Sequence, residues 1–404
     1  MEAKGSKAVN RWLIAAAGVL LQMCLGTVYG WSVFTKPLEV MNEWNRTEVT
    51  LAFTIAIGAI GISAAFGGMI LNKIGPRFLN LIAAVLFGIG TALTGLAVDK
   101  RSLALMYITY GFIGGTGIGM GYVTPISVLV KWFPDRRGLV TGMAIMGFGF
   151  GAFFMTSFTP SLIDSIGISY TFYLLGLIFF IIIMASSIVM VNPPASMKQS
   201  KQEQEAINGD SLEITLSEAI RMKQFWFFWL MLFVNISAGI SLISQASPMV
   251  EDIYGQTATQ AGIIVGIFSI FNGLGRLIWS AISDVIGRKK VFILLFATQA
   301  IVFFIIPRAS NLIVFVILAC YIYACYGGGF ATMPAFAADV FGTKHIGAIY
   351  GWILTAWSAA GVAGPIMYSR IRQATQGYSQ ALVITGISLI ISLLLPIFIQ
   401  DEKK

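Results

Sequence analysis

Long apolar runs separated by short polar joints dominate the chain. A helix needs roughly 20 apolar residues to cross the hydrocarbon core of a bilayer. Runs of this kind stand near Trp12–Phe34, Val49–Leu71, Leu79–Val98, Leu103–Val130, Gly138–Pro160 and Thr171–Val191. A second set stands near Phe225–Ser247, Thr259–Ser280, Val291–Pro307, Leu312–Pro334, Gly347–Tyr368 and Ala381–Ile399. The pattern predicts twelve spans, numbered here in chain order. Strands of a porin-type barrel alternate apolar and polar residues and give no such runs. The first run is longer than the core of a removed signal peptide, and no small-residue cleavage site follows it.

The predicted organisation is therefore all-α and integral to the membrane: six spans in residues 1–191, a polar linker over 192–224, and six more in 225–404. The linker contains Pro193, Pro194 and a mixed-charge run. Near its end, Thr215 and Glu218 have the spacing of a capping box, which predicts a short interfacial helix leading into Phe225, an ordinary surface element.

Composition narrows the class. Apolar residues make up 57% of the 404 and charged residues only 11%, less than half the share of about 25% in soluble domains. A soluble enzyme and a disordered chain are excluded. Cys24, Cys320 and Cys325 fall inside apolar runs and read as small core residues. His345 is the only histidine. No zinc or haem spacing, cofactor motif, P-loop or credible Ser–His–Asp set is present.

The net charge of +8 belongs to membrane topology rather than to nucleic acid, because the basic residues are spread over the joints. With the amino terminus inside, 18 of the 26 Lys and Arg residues fall in inner segments and 7 in outer ones. This excess predicts both termini in the cytoplasm. The remaining basic residue, Arg276, lies within span eight.

The halves repeat. After span two stands GGMILNKIGPR (Gly67–Arg77), and after span eight stands SAISDVIGRKK (Ser280–Lys290). After span four stands KWFPDRRGLVTG (Lys131–Gly142), and after span ten ADVFGTKHIGAIYG (Ala338–Gly351). Similar loops at the same place in each half indicate an internal duplication.

The loop after span two resembles the signature of the major facilitator superfamily, with Asn72 where that signature has Asp; the second copy keeps the acid as Asp284. The resemblance implies a fold of two pseudo-symmetric six-helix bundles. It also implies gating roles for Asn72, Arg77, Asp284 and Arg288, with the acid capping the amino end of span five or eleven, and a weaker latch at Asn72. KWFPDRRGLVTGMAIMGFGFG, MKQFWFFWLMLFVN, FNGLGRL and DVFGTKHIGAIYGW narrow the likeness, from Asn10 to Ile399, to the oxalate/formate antiporters and monocarboxylate transporters. A bacterial homologue of the latter is implied, working as a monomer in the inner membrane.

Arg276 stands out without any family. An arginine at mid-span costs about 2.5–3.5 kcal/mol on insertion scales, and it does not escape by losing its proton. Every Asp and Glu lies at a span end or in a joint, so no intramembrane acid is offered as a permanent partner. An anionic substrate fits, since a guanidinium takes a carboxylate through two parallel hydrogen bonds. Asn272 and Ser269 share its helix face. Tyr29, Tyr122 and Tyr326, each beside glycines, and Phe148 are further candidates for the cavity wall; Lys36 reads as an outer-mouth residue. The oxalate-exchanging relatives carry a lysine in span eleven; here that position is Trp357, which implies one cation and a monocarboxylate. The expected function is secondary active transport of small monocarboxylates of the lactate and pyruvate class, coupled to protons by resemblance. An oxalate/formate-type exchanger is the alternative. Animal monocarboxylate transporters have an Asp one turn before the arginine; Asn272 there cannot carry a proton.

Overall fold

The computed structural model describes residues 10–194 and 213–399. Among them lie 12 helices long and apolar enough to cross a membrane. Those of the first half are Arg11–Gly30, Glu48–Ile74, Pro76–Asp99, Leu103–Trp132, Arg137–Ile166 and Ile168–Val189. Those of the second half are Lys223–Ile243, Ile263–Ile286, Arg288–Arg308, Leu312–Phe341, Ile346–Arg372 and Ser379–Phe398. Their order and number match the apolar runs. Most of the linker lies outside the described residues; its last part forms the helix Leu216–Arg221, with both capping-box hydrogen bonds between Thr215 and Glu218 in place.

Several ends differ from the apolar pattern for local reasons. Span two runs straight into span three at Gly75, and span eight into span nine at Gly287. Both glycines have positive φ, 81° and 94°, a conformation that side chains with a Cβ resist. A single residue therefore reverses the chain, and polar Arg288–Lys290 join the helix that follows. Span four holds a π-helical stretch, Tyr107–Gly114, which nothing in its apolar pattern announces.

Packing follows the duplication. Spans three and six pair as nine and twelve do, two and four as eight and ten do, and one and five as seven and eleven do. Where three meets six, Phe87 stacks on Phe179 at 4.9 Å. The halves meet along two seams, span two against eleven and span five against eight.

The seams use one geometry twice. A methyl added at Gly68 would collide with the carbonyl of Gly347, and one at Gly351 with the carbonyl of Ala64. In the other seam, a methyl at Gly138 would collide with the carbonyl of Ser280, and one at Gly142 with the hydroxyl of Ser280 and the carbonyl of Arg276. Backbones this close need small residues. Counting along each helix, Ala64 occupies the place of Arg276, and Phe148 that of Trp357. The charge is thus planted on one side of a near-symmetric frame.

Candidate functional site

Arg276 is 1% exposed and lies at the seam of spans five and eight. Its Nη1 donates to the carbonyl of Ile145 at 2.8 Å, across the seam. Its Nε finds no hydrogen-bond partner among the described residues. Leaving a buried donor unmatched costs about 1–3 kcal/mol, and more when it is charged.

Aromatic rings surround the guanidinium. Its Cζ lies 5.9 Å from the Phe148 ring centre and 5.5 Å from that of Phe330, within cation–π range. Trp357 packs against Tyr29, Tyr122, Phe148 and Phe330, with centroids 5.4–6.1 Å apart. The wall draws Tyr29, Tyr122 and Phe148 from the first half and Phe330 and Trp357 from the second. Arg276 is in electrostatic range of the hydroxyls of Tyr29, Tyr122, Tyr326 and Tyr350. Among the described residues, the hydroxyls of Tyr122 and Tyr350 and Nε1 of Trp357 are buried without a well-formed hydrogen bond.

Most of the expected residues thus converge. Asn272 is buried beside Arg276, but its Nδ2 donates to the Tyr323 carbonyl at 3.2 Å, so it braces span eight against span ten. Ser269 is exposed and bonds back to the Val265 carbonyl. The side chain of Lys36 lies outside the described residues. Two residues of the wall were not anticipated, Phe330 and Tyr350. Phe330 is one turn from Tyr326, and Tyr350 two turns from Trp357, so extending each candidate along its own helix face finds both.

Below the arginine, toward the end that carries the linker, the seams close. Asp284 accepts the backbone N–H groups of Gly138 and Leu139 at 2.9 and 2.8 Å, capping the amino end of span five. Arg288 pairs with Asp284 at 2.5 Å and with Asp339 at 3.1 Å, and Asp339 also holds Arg137 at 2.6 Å. At the other seam Asn72 works in reverse. Its Nδ2 donates to the Lys344 carbonyl at 3.0 Å and faces His345 Nδ1 at 3.3 Å, ahead of span eleven.

Arg77 is a correction to the expected gate. It is exposed, and no hydrogen bond or ion pair joins it to the latch among the described residues. Asp339, which engages Arg288, stands five residues after Pro334; five after Pro125 stands Val130, which offers no charge. The first-half arginine has lost its acid twice over, at Asn72 and at Val130.

Comparison with known proteins bears on this architecture. The family model of the Major Facilitator Superfamily matches residues 18–365, and a second match covers 236–404. The chain belongs to this superfamily. It is a multi-pass membrane transport protein, not an enzyme. Among its relatives is the oxalate:formate antiporter of Oxalobacter formigenes, 29% identical over 96% of this chain and 91% of the antiporter. Human monocarboxylate transporter 10 is 23% identical over 93% of this chain and 75% of its own length. The apicoplast pyruvate carrier 1 of Toxoplasma gondii is 23% identical, covering 90% and 84%. The proton:xylose symporter XylE, at 17% identity, superposes with a TM-score of 0.76 over 97% of this chain and 96% of the symporter. FucP in its outward conformation gives 0.74 at 15% identity, over 96% and 99%. These solved structures support the twelve-helix fold and no more.

Proposed function

We propose that this superfamily member is a secondary active transporter of small monocarboxylates, of the lactate and pyruvate class, working by alternating access with its termini in the cytoplasm. The observation that carries the reading is Arg276: a buried guanidinium with Nη1 tied to Ile145, Nε unmatched among the described residues, and the rings of Phe148 and Phe330 beside it, on which Trp357 packs. The Nε edge is the fork that accepts a carboxylate through two hydrogen bonds. The aromatic faces suit a short apolar tail. Trp357 supplies no second charge, so a dianion would bring one carboxylate too many. The names of the antiporter and the carboxylate-carrier relatives support an organic anion.

Coupling follows from electrostatics. Moving a lone anion into a negative-inside cell costs about 2.3 kcal/mol per 100 mV. A co-transported proton or an exchanged anion cancels it. The described spans offer no Asp, Glu or His beside Arg276, so a proton would travel on the substrate carboxyl, a tyrosine or water.

The test is uptake of labelled lactate into proteoliposomes with an imposed pH gradient, together with ligand-induced thermal stabilisation. Arg276→Gln should abolish both in monodisperse protein. Arg276→Lys should impair both, since lysine keeps the charge but loses the planar fork. Near-normal lactate affinity in Arg276→Gln sinks the assignment. Uptake only against internal oxalate or formate, with no response to the gradient, establishes the exchanger instead.

A further inference from the structure

The wall around Arg276 is rich in donors and poor in acceptors. Arg276 Nε, the hydroxyls of Tyr122 and Tyr350, and Trp357 Nε1 are all buried without a well-formed hydrogen bond among the described residues. The guanidinium and indole nitrogens only donate, and a phenolic hydroxyl both donates and accepts. Phe148 and Phe330, which flank the guanidinium, offer neither. A buried donor left unmatched is costly. Such a set calls for a ligand that brings acceptor oxygens.

The donors are spread across both seams. Arg276 belongs to the seam of spans five and eight, where a methyl on Gly142 would meet its carbonyl. Tyr350 belongs to the seam of spans two and eleven. It precedes Gly351, whose added methyl would meet the carbonyl of Ala64, and Ala64 holds the place in span two that Arg276 holds in span eight. Tyr350 therefore stands at the depth of the guanidinium, on the opposite seam. Tyr122 reaches between them. Its ring lies 5.4 Å from that of Phe148 and 6.1 Å from that of Phe330. Its hydroxyl interacts with that of Tyr350, and both are in electrostatic range of Arg276. One hydroxyl comes from each half.

We propose that Tyr122 and Tyr350 clamp an uncharged oxygen of the substrate, a hydroxyl or a keto group, while Arg276 holds its carboxylate. A keto oxygen accepts from both phenols. An alcohol accepts from one and donates to the other. A second carboxylate is a poor occupant, because Ala64 takes the arginine's place on that seam. A bare alkyl end leaves both phenols buried and unmatched. The site thus selects hydroxy- and oxo-monocarboxylates over plain short-chain acids of the same size. A site built to hydrogen-bond a hydroxyl rejects the analogue without it far more strongly than an apolar pocket rejects a missing methylene. Because the phenols belong to different halves, the oxygen is fully gripped only while the halves are closed on it.

This inference rests on the carboxylate reading of Arg276, and its test separates the two. Lactate and propionate differ by one hydroxyl. Their binding, and that of pyruvate, is measured by calorimetry on monodisperse wild type, Tyr350→Phe, Tyr122→Phe and Arg276→Gln. Wild type should prefer lactate and pyruvate over propionate by roughly ten-fold or more. Each Tyr→Phe change should weaken lactate and pyruvate by roughly ten-fold and leave propionate unchanged or tighter, so the preference shrinks. Each removes an oxygen that is unmatched in the ligand-free fold, so the melting temperature without ligand should hold. A tyrosine that serves packing alone would move all three acids together. Propionate bound as tightly as lactate by wild type, or a preference preserved in either Tyr→Phe variant, overturns the clamp. It leaves the carboxylate reading standing if Arg276→Gln abolishes binding of the acids. Failure of all three acids to bind wild type overturns both.

Discussion

The two seams between the halves share their backbone geometry and differ in their chemistry. Where span eight meets span five, a carboxylate caps a helix end, two arginines share Asp339, and a third arginine stands above them. Where span two meets span eleven, an amide holds a carbonyl and an imidazole, and Ala64 stands in the arginine's place. Helix approach in both is enforced by glycines against backbone. The difference teaches that duplication supplies the frame, whereas charge placed on one copy supplies the candidate site. It also builds one latch from ion pairs and a carboxylate cap, and the other from an amide without an ion pair at its centre.

The largest effect should come from making the strong seam resemble the weak one. Asp284→Asn removes the charge from two hydrogen bonds to backbone and from the pair with Arg288. Hydrogen bonds to charged groups contribute about 1.5–3 kcal/mol each, so a shift of roughly a hundred-fold or more toward the linker-side-open state is expected in distance measurements across the linker end. If the populations stay as they were, the seams are energetically alike and the contrast fails.

Backbone contact offers a matched pair. Gly68→Ala and Gly138→Ala each drive a methyl into a carbonyl of the facing helix. Overpacking of this kind costs about 1–3 kcal/mol. Similar losses of thermal stability are expected in the two variants; a large disparity means that the frames themselves have diverged.

Replacing the amide by an acid should change little. Asn72→Asp places a carboxylate near the amino end of span eleven, where a negative charge is worth about 0.3–1 kcal/mol, but it removes the N–H that donates to the Lys344 carbonyl at 3.0 Å and sets an oxygen against it. The two effects oppose each other, so the closed population should shift several-fold at most. Smallest of all should be Arg77→Ala, within about 0.5 kcal/mol in a thermal melt, while Arg288→Ala in the same assay destabilises clearly. A large loss at Arg77 would show a contact that this conformation lacks.

Much of this is legible in the sequence. Span number and order followed from run length, because lipid tolerates no other long apolar element. Arg276 was legible because a charge in a span is too costly to be idle. Tyr29, Tyr122, Tyr326 and Phe148 were reached through their glycine neighbours and Trp357 through the resemblance to the oxalate-exchanging relatives, and the structure brings them together. Phe330 and Tyr350 escaped because an aromatic in an apolar run looks like filling until its helix face is traced. The Ile145 carbonyl could not have been found, since a backbone acceptor leaves no mark in a sequence. Arg77 misled because a signature preserves residues after their partners have gone; only the loss of both acids, at Asn72 and Val130, reveals it.

The hydrogen bond from Arg276 to Ile145 has a kinetic side. It joins the halves, so it must break each time the linker end opens. An unloaded transporter must then strip a guanidinium of a charge-assisted bond, worth about 1.5–3 kcal/mol, or roughly ten- to more than a hundred-fold in rate if it is fully lost at the barrier. A bound carboxylate already shares that charge and lowers the loss. The loaded molecule should therefore turn over faster than the empty one, and substrate waiting on the far side should accelerate release on the near side, whichever ion is coupled to the cycle.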